Sequence, residues 1–222
     1  MFRDAGLVLG KDLRIERRSK VTTQQIAPFA VLVLVLFAFA LDPDRGVLAR
    51  ASAGLYWLAV VFCSVLAVQR SAAVEVNDKA GEGMRLAGLD PGGVFLGKAA
   101  AVAAQLALLE LLLGGGIVVL YGTHLHDPFI LLLTAALATI GLATAGTAYA
   151  AVAASLRVGN TLLPLLLLPV LAPVLLAATR AWEAGLAGVS SDAISWLELL
   201  AAFAVLYVAV GVVGYGTLQE ES

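Results

Sequence analysis

The sequence is divided by six long apolar stretches, at residues 24–41, 51–69, 99–121, 129–154, 162–179 and 194–217. A helix rising 1.5 Å per residue needs roughly 20 such residues to cross a bilayer's hydrocarbon core. Lipid offers no partner to an unpaired backbone N–H or C=O, so these stretches are expected as helices, not open strands. None shows the alternation of a membrane barrel strand. Hydrophobic residues make up 61% of the 222 and charged residues 14%. A soluble domain carries about 45–50% apolar and about 25% charged residues, so water-soluble and disordered classes are both excluded. A net charge of −2 supplies no basic field for nucleic acid, and Cys63 alone cannot form an intramolecular disulfide or a multi-cysteine metal site. The expected fold class is all-α: a polytopic membrane protein with six transmembrane helices in a single domain over 1–222.

Loop charge sets the orientation. Eleven of the 14 basic residues fall in residues 1–20, 70–98 and 155–161, against Arg45, Arg50 and Arg180 on the other side. Cytoplasmic loops are the ones enriched in Lys and Arg, so both termini are expected in the cytoplasm. The first twenty residues carry six cations and no apolar run of the kind a cleavable signal needs.

Residues 1–20 place Phe2, Leu9 and Leu13 on one side of a helical wheel and Arg3, Lys11, Arg14 and Arg18 on the other. That pattern suits a helix lying in the membrane interface with its cations towards anionic headgroups. It also fits an ordinary basic flank with no defined helix. Residues 70–98, expected as a loop, mix both charges with Gly81, Gly83, Gly88, Gly92, Gly93 and Pro91. A helical turn at 82–86 would set Met84, Leu86 and Leu89 beside Glu82, Gly83 and Arg85, a short amphipathic element fit to dock a cytoplasmic partner. The plainer alternative is a solvated loop. The outer connections 42–50, 122–128 and 180–193 are small.

Few groups suggest chemistry. Gly92-Gly93…Gly97-Lys98 lacks the P-loop spacing, and Ala99 stands where Ser or Thr would hold the metal. ATP hydrolysis is therefore expected elsewhere, and no catalytic residue or metal site is assigned. His124 and His126 are the two histidines; metal or haem-iron ligation and simple loop polarity are both open to them. Glu110 sits near the middle of the third stretch, an intramembrane polar candidate for either function or helix–helix bonding. Pro164, Pro169 and Pro173 remove backbone donors from the fifth stretch and are expected to bend it. The Gly114–Gly116 run and Gly141 and Gly146 permit close helix contact, and Trp57, Trp182 and Trp196 read as interface anchors.

Three segments together resemble the haem exporter protein B (CcmB-type) family of bacterial cytochrome c maturation. Lys11–Ser19 is similar to its basic K-D-L-x-x-E-x-R segment. Glu82–Gly88 is similar to its E-G-L-L-L-A-P, followed by Val94–Lys98, similar to I-Y-L-G-K. Leu162–Val174 is similar to its proline-studded fifth span. Arg85 and Gly88 depart from the pattern, where an apolar residue and a proline are usual.

The resemblance implies an ABC-2-like permease in the bacterial inner membrane, with residues 1–20 as an elbow helix and 70–98 as the coupling segment. It implies paired copies of this chain with two copies of a cytoplasmic ATPase subunit (CcmA-type). It also implies a haem-handling subunit (CcmC-type), a small single-span subunit (CcmD-type) and a haem chaperone (CcmE-type). No cofactor would be bound directly; haem would be cargo and ATP would belong to the partner. Rival readings are an ABC-2 permease for a lipid-linked glycan or drug, a non-transporting scaffold, and an engine-free secondary carrier. The last predicts inverted repeats, and spans 1–3 do not match spans 4–6.

Overall fold

The computed structural model describes residues 1–41, 45–78, 87–155 and 163–220. Among them are seven α-helices and no strand. Helix α1 is Phe2–Ser19 and α2 is Ala27–Leu41, the latter preceded by a π-helical turn at Thr22–Ile26. Then come α3 (Arg45–Asp78), α4 (Pro91–Tyr121), α5 (Pro128–Ser155), α6 (Leu163–Ala187) and α7 (Ser190–Glu220). Six helices are long and apolar enough to cross a membrane, over Gln24–Leu41, Arg50–Val74, Pro91–Tyr121, Pro128–Ala154, Leu167–Ala187 and Ser190–Thr217.

Helices α4 and α5 are the centre of the bundle. Helix α4 packs against α1, α2, α3, α5 and α7, and α5 against α3, α4, α6 and α7. Most of α2 and α7 is left uncovered, with large apolar side chains such as Phe39, Val205 and Val213 on the outside. In a bilayer that surface meets acyl chains, which solvate it as well as another helix would.

Segment 70–98 departs from the expected loop. Helix α3 continues to Asp78 and α4 begins at Pro91, leaving 79–90 between them. At 34 residues α3 is about 51 Å long, well beyond a hydrocarbon core of about 30 Å. The start of α4 has a local cause. Asp90 is its N-cap, accepting the Gly93 N–H at 2.7 Å, and Pro91 follows as N1, where its missing N–H costs nothing. The expected outer loop 180–193 is likewise mostly helical, since α6 reaches Ala187 and α7 starts at Ser190.

Two of the expected interface tryptophans are core residues instead. Trp57 and Trp182 are buried, and with Tyr56 they form an aromatic triad. Tyr56 stacks on Trp182 at 4.5 Å, and Trp57 meets both edge-on at 5.2 and 5.6 Å. The indole Nε1 atoms of both tryptophans and Ser64 Oγ are sealed from solvent with no hydrogen-bond partner.

Candidate functional site

One end of the bundle gathers a set of polar contacts that join α1 to α2 and α4. Helix α1 has three faces, one more than the wheel distinguishes. Met1, Asp4, Ala5 and the buried Val8 turn towards α4, between the apolar flank and the cationic one. The seat they occupy is made by Gly93 and Gly97. A Cβ on Gly93 would lie 2.6 Å from the Met1 carbonyl oxygen, and one on Gly97 would lie 2.6 Å from both the Ala5 carbonyl oxygen and Val8 Cβ. Only residues without side chains let the two backbones approach so closely.

The seat is pinned at both ends. Asp4 Oδ2 accepts the backbone N–H of Asp90 at 3.3 Å, and that bond is the main cause holding the Asp4 carboxyl below its ordinary value of 3.8. Beside it Phe95 is fully buried, tilted against Tyr215 at 5.7 Å and packed where Gly211 has no side chain. Leu89, half-buried, packs on this same apolar cluster of Val8, Val94, Phe95 and Tyr215. The last residues before α4 are thus attached to α1, α4 and α7 together.

At the other end of α1, Lys11 pairs with Asp12 at 2.6 Å. Glu16 ties the corner into α2: its Oε1 accepts the Thr22 N–H at 2.6 Å, and Lys20 ends α1 in the left-handed conformation. Thr22 Oγ1 in turn donates to Gln105 Oε1 of α4 at 3.4 Å. Between α1, α3 and α4 lies a cleft of about 30 Å³, walled by Asp12, Glu16, Arg70, Ser71 and Gln105. The Nε of Arg70 is buried there without a hydrogen-bond partner. Two carboxylates and a guanidinium therefore share a space of water-molecule size.

A second polar cluster lies inside the span. Glu110 is buried, 6% exposed, and its Oε1 accepts the Thr139 hydroxyl of α5 at 2.6 Å. Its backbone carbonyl accepts the Tyr56 hydroxyl of α3 at 3.3 Å. Three helices are joined at this residue. Thr134, Thr144 and Thr147 bond carbonyls of their own helix, so Thr139 alone of these four reaches across. A Gln at 110 keeps an acceptor for Thr139, so Glu110→Gln is expected to leave the unfolding temperature in detergent near that of wild type. Glu110→Leu removes the acceptor and is expected to cost about 1 kcal/mol. A Gln variant that unfolds as easily as the Leu variant would contradict this.

Of the other residues singled out in the sequence, Glu82, Gly83, Met84, Arg85 and Leu86 lie outside the described residues. Pro164 is the second residue of α6, and Pro169 and Pro173 lie within that helix, which runs through both without a break. The Tyr207 hydroxyl of α7 donates to the Val170 carbonyl at 2.8 Å, beside Pro169. At the opposite end of the bundle His126 Nδ1 is 2.7 Å from the Leu186 carbonyl. His124 and His126 stand with ring centres 6.4 Å apart, and no third His, Cys, Asp or Glu joins them as a ligand group among the described residues. Asp127 accepts the Ser190 hydroxyl at 2.7 Å and the Ile130 N–H at 3.2 Å; these bonds lower its carboxyl below 3.8 and tie α5 to α7.

A family model described as CcmB protein matches residues 4–217. The chain is similar to heme exporter protein B of Pseudomonas aeruginosa, 28% identical over 200 residues that cover 90% of each chain. It is 30% identical over 213 residues to heme exporter protein B of Paracoccus denitrificans, covering 91% of this chain and 92% of that one. The protein of the same name in Haemophilus influenzae is 28% identical over 177 residues, 80% of each chain.

Proposed function

The chain belongs to the CcmB protein family, and on that premise we propose that it is the membrane permease subunit of a haem exporter serving cytochrome c maturation. It resides in the bacterial inner membrane with both termini cytoplasmic, following its Lys and Arg distribution. Two copies assemble with two copies of a cytoplasmic ATPase subunit in an ABC-2-like arrangement. The haem-handling, small single-span and haem-chaperone subunits complete the complex. ATP is bound and hydrolysed by the partner, haem is cargo of the complex, and this chain makes and breaks no bond.

Its work is mechanical. Helix α1 is the elbow helix, and Glu82, Gly83, Met84, Arg85, Leu86 and Leu89 form the element that enters a groove on the ATPase. Glu82 and Arg85 supply charge complementarity, and Met84, Leu86 and Leu89 the apolar anchors. The observation that carries this reading is the attachment of Leu89 and Asp90 to α1 and α4. A push on this segment is delivered to the rigid α1–α4 pair instead of being absorbed by a slack loop, and the spans then move as bodies. The ATP-driven movement releases the haem-loaded chaperone. A strain lacking this chain is expected to lose its c-type cytochromes and to hold haem on the chaperone, with both defects reversed by a plasmid copy. Normal c-type cytochromes in the deletion strain would overturn the proposal.

A further inference from the structure

On the flank of α1 turned away from α4 runs a trough of about 480 Å³, bounded by Gly6, Leu7, Gly10, Arg14, Ile15 and Arg18. Its floor is bare backbone, since a Cβ on Gly6 or Gly10 would meet nothing within 4 Å. Leu7 is 56% exposed beside it. The rim is cationic. Lys11 is already paired with Asp12, whereas Arg14 and Arg18 have no ion-pair partner among the described residues. An apolar floor with two unpaired guanidinium groups fits an amphiphile that carries an anionic head.

We propose that this trough is a binding site for an anionic phospholipid, its phosphate held by Arg14 and Arg18 and its acyl chain lying on Gly6 and Gly10 beside Leu7. Guanidinium groups bind phosphate oxygens in pairs of hydrogen bonds, and both arginines lie on one stripe of the helix, four residues apart. Phe2, 82% exposed, and the half-buried Leu9 and Leu13 are on the apolar flank, which sets the cations at headgroup level when that flank enters the bilayer. A second copy of α1 is a poorer occupant. Gly6 and Gly10 have the spacing for close helix pairing, but a self-paired α1 would bring Arg14 and Arg18 near their own copies. The inference rests on the reading of α1 as an elbow helix proposed above and not on the ATPase partnership.

Site and diffuse attraction are separated by filling the floor. Gly10→Leu adds a side chain where there is open space, so the fold is expected to survive; the exposed double variant Arg14→Gln/Arg18→Gln is the second probe. The full-length chain in detergent would be titrated with dioleoyl phosphatidylglycerol or dioleoyl phosphatidylcholine and retained lipid counted by native mass spectrometry. Wild type is expected to prefer phosphatidylglycerol at least about tenfold, from two cations at the headgroup, and both variants to lose that preference. Equal retention of the two lipids, or a preference that survives Gly10→Leu, would overturn the site. So would variants that keep the lipid but change oligomeric mass or lose the co-purifying ATPase, which would assign the trough to a second copy or to a protein partner. Loss of lipid with the ATPase retained leaves the coupling proposal standing, so the two failures are distinguishable.

Discussion

Gly97→Leu is expected to unseat α1 and lower the unfolding temperature more than any single change at a lipid-facing position. A Cβ at 97 would stand 2.6 Å from the Ala5 carbonyl oxygen and 2.6 Å from Val8 Cβ. The first is backbone and the second is the root of a buried, stiff side chain, so neither can rotate away. Overpacking of a close-packed site costs about 1–3 kcal/mol, and a leucine against rigid neighbours belongs at the upper end, about 6–12 °C at this chain length. Gly211→Leu should behave alike, because its new side chain would overlap the buried Phe95 ring. Controls come from the same helix: a Cβ on Gly114 or Gly115 meets nothing within 4 Å, so Gly114→Ala and Gly115→Ala are expected to be neutral or stabilising by up to about 1 kcal/mol. Thermal unfolding in detergent, with trypsin cleavage in α1 after Arg14 as a local reporter, checks the set. Wild-type unfolding and cleavage in Gly97→Leu would mean that α1 does not need the seat.

Glycine chemistry also shows where the sequence was readable and where it was not. Six spans are legible because apolar runs of that length have one solution in lipid. The edges of the 70–98 segment are not. Gly92 and Gly93 look like loop punctuation, yet Asp90-Pro91 is an N-cap followed by N1, a helix-start signal that outweighs them. Residues Arg70–Asp78 are polar enough to suggest a loop, but α3 simply outruns the membrane.

Contacts between distant residues are the least legible. Val8 is one apolar residue among several in α1, and nothing local separates its face from that of Leu9 and Leu13 until α4 is present. Glu110 stands out as a mid-span carboxyl, while its partner Thr139 is 29 residues away and resembles three other threonines on the same helix. Trp57 and Trp182 lie near span ends, where interface and core tryptophans look the same in a sequence. Basic, glycine and proline segments identify the family, but they do not reveal that its basic segment serves as a corner clamp, with Glu16 holding the Thr22 N–H.

Reversing one charge in the proposed coupling segment should have the largest functional effect. Glu82 is proposed to meet a basic group on the ATPase, and Lys at that position replaces attraction with repulsion. Loss of a partner from a buried interfacial charge pair costs about 2–5 kcal/mol, which is about 30-fold or more in Kd and enough to strip a subunit during purification. Asp4, Asp90 and Leu89 lie outside the change, so α1 is expected to keep its seat and the variant its wild-type unfolding temperature. The decisive measurement is co-expression with the cytoplasmic ATPase subunit proposed as its partner and purification through a tag on this chain, wild type beside Glu82→Lys. Stoichiometric ATPase with wild type and little or none with Glu82→Lys is the expected result. Equal retention by both would remove Glu82 from the interface, and no ATPase with either would contradict an ATP-coupled permease.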